Sequence, residues 1–183
     1  MDLPVNSFST QQAFFDWLEE NGSSSTGIWL RFAKKSAGVA SVSYPEAVDA
    51  ALCHGWIDGQ VKSQSETTYR QRYTPRGKRS IWSKINREKV AALISDGRMR
   101  PAGMAEVERA QADGRWEAAY DSPKTAAPPP ELLAALAASP KAETAFAALS
   151  SQNRYSMLFQ LQTAKKAETR ARRIAAFVAT LES

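Results

Sequence analysis

Residues 60–100 hold most of the side chains that could do chemistry. They carry eleven Lys/Arg against three Asp/Glu, a local balance of +8. Residues 1–59 balance at −4 and residues 101–183 at +1, so the basic character of the chain is a local feature. Tyr69, Tyr73 and Trp82 sit among Arg70, Arg72, Arg76, Lys78 and Arg79. Flat π-faces interleaved with cations suit a phosphate-bearing or otherwise anionic partner. An ordinary solvated edge accounts for the same composition. No motif in the chain fixes a reaction.

Four smaller constellations accompany this stretch. Gly55-Trp56-Ile57-Asp58-Gly59 holds a Trp and a carboxylate between two residues that permit close backbone approach. It reads as an aromatic platform beside an acid, or as a helix C-terminus where Asp58 satisfies turn amides and Trp56 fills core. Thr74–Ser83 places a basic cluster before a helix N-terminus, where backbone amides favour anions. It lacks the G-x-x-x-x-G-K-[ST] spacing of a phosphate loop. Cys53-His54 invites a nucleophile–base reading, but consecutive helix residues project about 100° apart and do not face each other. With one His and one Cys in the chain, neither thiol catalysis nor a zinc site is expected, and no cofactor is implied. Arg170 shares the helix stripe of Ile174, Phe177 and Leu181, so it points toward the protein body. A buried Arg needs a carboxylate or a bound anion. Asp58 and Asp121 are the candidate partners, and loss of a buried pair would cost about 3–5 kcal/mol.

The elements that position these residues follow from periodicity and punctuation. Ser9–Gln12 fits a capping box ahead of a helix carrying Phe14, Phe15, Trp17 and Leu18. Gly27–Lys34 reads as a strand, and Pro45 opens a second helix through Val48, Ala51 and Leu52. Gln60–Lys62 and Thr67–Thr74 read as two strands joined by a polar turn. Helices are predicted after Ser83 and after Pro101. Asp121–Pro130 (DSPKTAAPPP) is the one linker-like segment, and everything beyond it is helical in pattern. The expected organisation is a body at 1–121, a linker at 122–130 and a helical region at 131–183 docked on the body.

At 183 residues, 43% apolar and 23% charged, the chain fits a globular protein able to bury a core without staples. No basic n-region followed by an apolar stretch opens it, and no apolar run reaches the roughly 20 residues of a membrane helix. With a lone Cys53, these features point to the cytoplasm.

Several segments together resemble the YdeI/OmpD-associated, or bacteriocin-protection, family. They are IWLRFAKKS at 28–36, YPEAVDAALCHGWIDGQ at 44–60, YTPRGKRSIWSKIN at 73–86, GRMRPAG at 97–103, DGRWEAAYD at 113–121, NRY at 153–155 and TAKKAETRARRI at 163–174. His54 stands where that family usually has an aromatic, and Ala167 where Pro is common. The resemblance implies an α+β body with a helical C-terminal region, and a link to envelope stress and resistance to cationic antimicrobial peptides. It supplies no catalytic residues.

The expected fold is therefore α+β: a small antiparallel sheet of about three strands covered by helices, with an all-helical C-terminal region. The leading functional reading is a non-catalytic stress or defence protein that binds a small anionic ligand or an acidic protein surface. Its candidate surface combines Trp56, Asp58, Tyr73, Arg76, Trp82 and Arg170. One alternative is an enzyme acting on a small anionic substrate, with Asp58 as acid/base and Arg76 and Arg170 as the clamp; Asp58 would then need a raised pKa. The other is nucleic-acid binding through residues 60–100, with Arg70, Arg72, Lys78 and Arg79 sharing one face and steep salt dependence. A protein that sequesters cationic peptides directly should be acidic, and this chain is basic, with a pI near 9.4.

Overall fold

The computed structural model describes residues 3–183. The chain divides into two units, residues 1–81 with 86–117 and residues 82–85 with 118–183. The first is built on a four-stranded sheet: β1 (Val5–Ser7), β2 (Ile28–Ala33), β3 (Trp56–Ser63) and β4 (Thr68–Pro75), in the order β1-β2-β4-β3. Helices α1 (Gln11–Asn21) and α2 (Tyr44–Cys53) fall between the first three strands; α3 (Lys84–Ser95) and α4 (Pro101–Ala112) follow the last.

The sheet has four strands where the sequence pattern shows three. The additional strand is β1, three residues too short to display an alternation. It pairs with β2 in parallel, so the sheet is mixed, while β2–β4 and β3–β4 are antiparallel as expected. β3 also begins four residues before the predicted Gln60. Trp56 and Asp58 thus lie on a strand and not at the exit of a helix, and Asp58 sits opposite Tyr73 in the β4 register.

Alternation assigns the two faces of the sheet. Ile28, Leu30 and Phe32 of β2 and Tyr73 of β4 are all under 2% exposed and meet Phe14 and Leu18 of α1, Ala47, Ala50 and Ala51 of α2, and Trp56 in one core. Thr10 caps α1 by accepting from the Ala13 amide at 3.2 Å, one residue later than the predicted box. A full capping box stands instead at α2, where Glu46 accepts from the Ser43 amide at 2.8 Å. The opposite face of the sheet carries Trp29, Arg31, Lys62, Arg70 and Arg72.

Two glycines allow α4 to lie close to α2. Gly55 ends the α2 turn at φ 74°, where a Cβ would stand 2.8 Å from the Ala102 carbonyl oxygen. At Gly103 it would stand 2.3 Å from the Cys53 carbonyl oxygen.

The second unit holds four helices, α5 (Pro130–Ala137), α6 (Pro140–Ala148), α7 (Ser151–Gln162) and α8 (Ala167–Glu182). Leu132, Leu136, Phe146, Leu158, Leu161 and Ile174 form its core. Trp82–Ile85 belongs to this unit through the Ser83–Tyr120 bridge, in which the Tyr120 amide donates to the Trp82 carbonyl at 3.0 Å and the Lys84 amide to the Tyr120 carbonyl at 2.9 Å.

Gly103→Ala should destabilise the protein by about 1–3 kcal/mol in urea unfolding, because overpacking against the α2 carbonyls outweighs the gain in helix propensity.

Candidate functional site

Of the six residues singled out from sequence, Trp56, Asp58, Tyr73 and Arg76 lie in the first unit and Trp82 and Arg170 in the second. The aromatic members are core. Trp56 and Trp82 are 1% exposed and Tyr73 is 0% exposed. Trp56 also donates its indole N–H to the Gly22 carbonyl at 3.2 Å, tying β3 to the end of α1. None of the three presents a ring to solvent.

Asp58 is half-buried and accepts from the Tyr44 hydroxyl at 3.0 Å and from Gln71 Nε2 at 2.8 Å. It joins α2, β3 and β4, and the turn amides that a helix-end position would offer it are not its partners. Arg76 is buried. Its guanidinium donates to the Ile81 carbonyl at 3.2 Å, and its own amide donates to the Gly55 carbonyl at 2.9 Å. Arg115, equally buried, clamps the same loop, donating to the Ser80 carbonyl at 2.7 Å and to both Asp113 oxygens at 2.8 Å. The predicted anion loop at Thr74–Ser83 is thus held by buried arginines working on backbone carbonyls.

Arg170 is paired, with Glu131 at 2.9 Å, and neither Asp58 nor Asp121 is its partner. Its side chain is 41% exposed, so the expected burial is not found. The Arg170 stem lies along the apolar stripe while its charged head reaches the rim. The backbone amide of Glu131 itself, and then Arg170, hold the Glu131 carboxyl below its ordinary range. The Arg170→Ala loss should therefore fall in the small range of solvent-exposed pairs and well short of that for a buried one; chemical denaturation of the variant measures it.

Cys53 and His54 do not form a dyad. Cys53 is buried, and burial pushes its thiol up to about 11. His54 is 2.8 Å from Glu19 Oε2 through Nε2 and 2.9 Å from the Ala50 carbonyl through Nδ1. Among the described residues, no group of three or more His, Cys, Asp or Glu is gathered to hold a metal ion.

Four cations stand on the outer face of the sheet, Arg31, Lys62 and Arg72 exposed and Arg70 half-buried. Arg31 stands opposite Arg70 in the β2–β4 register, and Arg70 stands opposite Lys62 in the β4–β3 register. This makes a row of three cations across adjacent strands, each step about 5 Å. Arg72 lies two residues along β4 on the same side, opposite Trp29. Lys62 and Arg70 each sit 4.9 Å from the centre of the Trp29 ring, which is only 8% exposed beneath them. None of these four cations has a carboxylate partner among the described residues. Arg31 donates to the Gln64 side chain at 3.0 Å. Trp29 and Arg31 precede residue 60, so the local charge count does not include them; the period-2 alternation of β2 is the signal that would have placed them beside Arg70. Lys78 and Arg79 lie in the turn after β4, outside this row.

Residues 6–106 match the model of a family described as a domain of unknown function, DUF8412. The chain belongs to the DUF8412 family. Its residues 125–183 match a second model, described as bacteriocin-protection, YdeI or OmpD-associated. The resemblance that runs through the whole sequence is thus shown in the C-terminal part alone, and the segments at 28–36, 44–60 and 73–86 fall inside the DUF8412 match. No curated protein and no solved structure matches the chain. The DUF8412 match contains β2, β3 and β4, all of β1 but Val5, and both glycine contacts; the second match contains α5 through α8. No helix among the described residues is long and apolar enough to cross a membrane.

Cys53 should resist alkylation by iodoacetamide in the native DUF8412 protein near pH 8 and react once the chain is unfolded in urea, because only unfolding restores an accessible thiol of ordinary acidity. Rapid native labelling would contradict its burial.

Proposed function

We propose that the protein is a non-catalytic cytosolic binder of an anionic partner, and that the outer face of its sheet is the binding surface. The observation that carries this reading is the Arg31–Arg70–Lys62 row. Like charges directly opposite one another in a sheet destabilise it. A sequence that keeps three in a row, with no acid among the described residues to neutralise them, carries a cost that a bound polyanion would remove. The Trp29 ring lies under the Lys62 ammonium and the Arg70 guanidinium, each 4.9 Å from its centre, and its π-face holds the two charges in place. The bacteriocin-protection description of the family matched at 125–183 is compatible with a binding role.

Fluorescence titration with inorganic polyphosphate tests the reading. Binding should weaken steeply as salt rises, and Arg31→Thr, Arg70→Thr or Arg72→Thr should each lower the salt slope by about 1. Arg31→Thr should also raise stability at low salt by about 0.2–1 kcal/mol, a gain that fades at high salt. Single-stranded and duplex DNA run in parallel separate a nucleic-acid partner from a general polyanion: preference for one strand form at matched charge would favour nucleic acid. Salt-insensitive binding, or variants that bind as wild type, would remove the outer face from consideration.

A further inference from the structure

On the core side of the same sheet, the first unit contains a cavity of about 420 Å³. Phe32 and Tyr69 line it, their rings stacked 4.9 Å apart and inclined by 11°. The 34–43 segment and Tyr44 at the start of α2 complete the lining, together with Lys34 and Lys35. Val39 of that segment is 64% exposed, an apolar side chain left open at the cavity.

The charged side chains that line the cavity are both cations, Lys34 and Lys35. No Asp or Glu lines it, and the two nearby carboxylates are each engaged by a lining residue, Asp58 by the Tyr44 hydroxyl at 3.0 Å and Glu46 by Ser43. Lys34 donates to the Ser65 carbonyl at 3.4 Å, whereas Lys35 has no hydrogen-bond or ionic partner among the described residues. Glu46, in the first turn of α2, is engaged by the Ser43 amide at 2.8 Å and hydroxyl at 2.7 Å. Tyr73 adds a second feature. Its hydroxyl is fully buried without a hydrogen-bond partner, and its electrostatic neighbours are Asp58, Tyr44 and Tyr69, two of which line the cavity.

We propose that this cavity binds a small planar anion, an aromatic ring stacked against Tyr69 with its carboxylate or phosphate held by Lys35. The volume suits one or two rings, and stacking with charge pairing at one edge uses what the lining offers. The site faces away from the Arg31–Arg70–Lys62 row and stands independently of the polyanion reading.

Calorimetric titration of the full chain with benzoate, phenyl phosphate and indoleacetate tests it, against benzyl alcohol, which lacks the charge, and acetate, which lacks the ring. At least one planar acid should bind about tenfold or more tighter than both comparators. Lys35→Gln, an exposed change that leaves the fold intact, should weaken that binding about tenfold; Tyr69→Leu should do the same, and Tyr69→Phe should retain it. The proposal is overturned if no planar acid binds below about 10 mM, if benzyl alcohol or acetate binds equally well, or if Lys35→Gln leaves the affinity unchanged.

Discussion

Strand β4 hydrogen-bonds to β2 on one side and β3 on the other, and its alternation decides where the first unit's chemistry goes. Tyr69, Gln71 and Tyr73 face the helices; Arg70 and Arg72 face outward. A slip of one residue would drive two guanidinium groups into the core formed by Phe14, Ile28 and Leu30. Burial of the Tyr73 ring against Phe14, at 5.6 Å and nearly edge-on, fixes that register. Everything else inherits it: Asp58 opposite Tyr73, Lys62 opposite Arg70, and the row of cations across three strands.

Of the basic residues of 60–100, Lys84, Arg87, Lys89 and Arg100 are paired with carboxylates; among the others, two groups have opposite physics. Arg76, together with Arg115 from after α4, is buried, and both donate to carbonyls that the irregular 76–81 segment leaves without a ladder. These guanidinium groups stand in for secondary structure. Arg31, Lys62, Arg70 and Arg72 keep their heads outside and repel one another. The first group supports the fold, and the second charges it. Lys62 also lies on the edge strand β3, whose register shifts between Asp58 and Val61; charge and bulge together discourage pairing with another sheet edge.

The helical unit shows how a stripe can mislead about burial. Arg170 lies on the apolar line of α8, yet its length lets it reach Glu131 at the rim. The same freedom is denied to Trp56 and Trp82, rigid side chains that are either covered or not. Trp56 hydrogen-bonds the carbonyl of Gly22 and closes the core at the end of α1.

The residues themselves determined most of the elements. Hydrophobic period, with Pro at some helix starts and Asn21-Gly22 at the end of α1, placed α1, α2 and the four C-terminal helices, and short aromatic and apolar composition placed β2. These signals are local and survive without a partner. β1 was not legible, because three residues gain strand character only by pairing with β2. The start of β3 was not legible either, since Gly55-Trp-Ile-Asp-Gly59 satisfies helix-exit and strand chemistry equally until Tyr73 stands opposite Asp58. The candidate site divides the same way. A surplus of cations is countable in the sequence, but which of them are spent on backbone carbonyls and which stand unpaired depends on neighbours far along the chain. Arg31 meets Arg70 across 39 positions; only the folded sheet brings them side by side, because cross-strand distance is set by register and not by sequence separation.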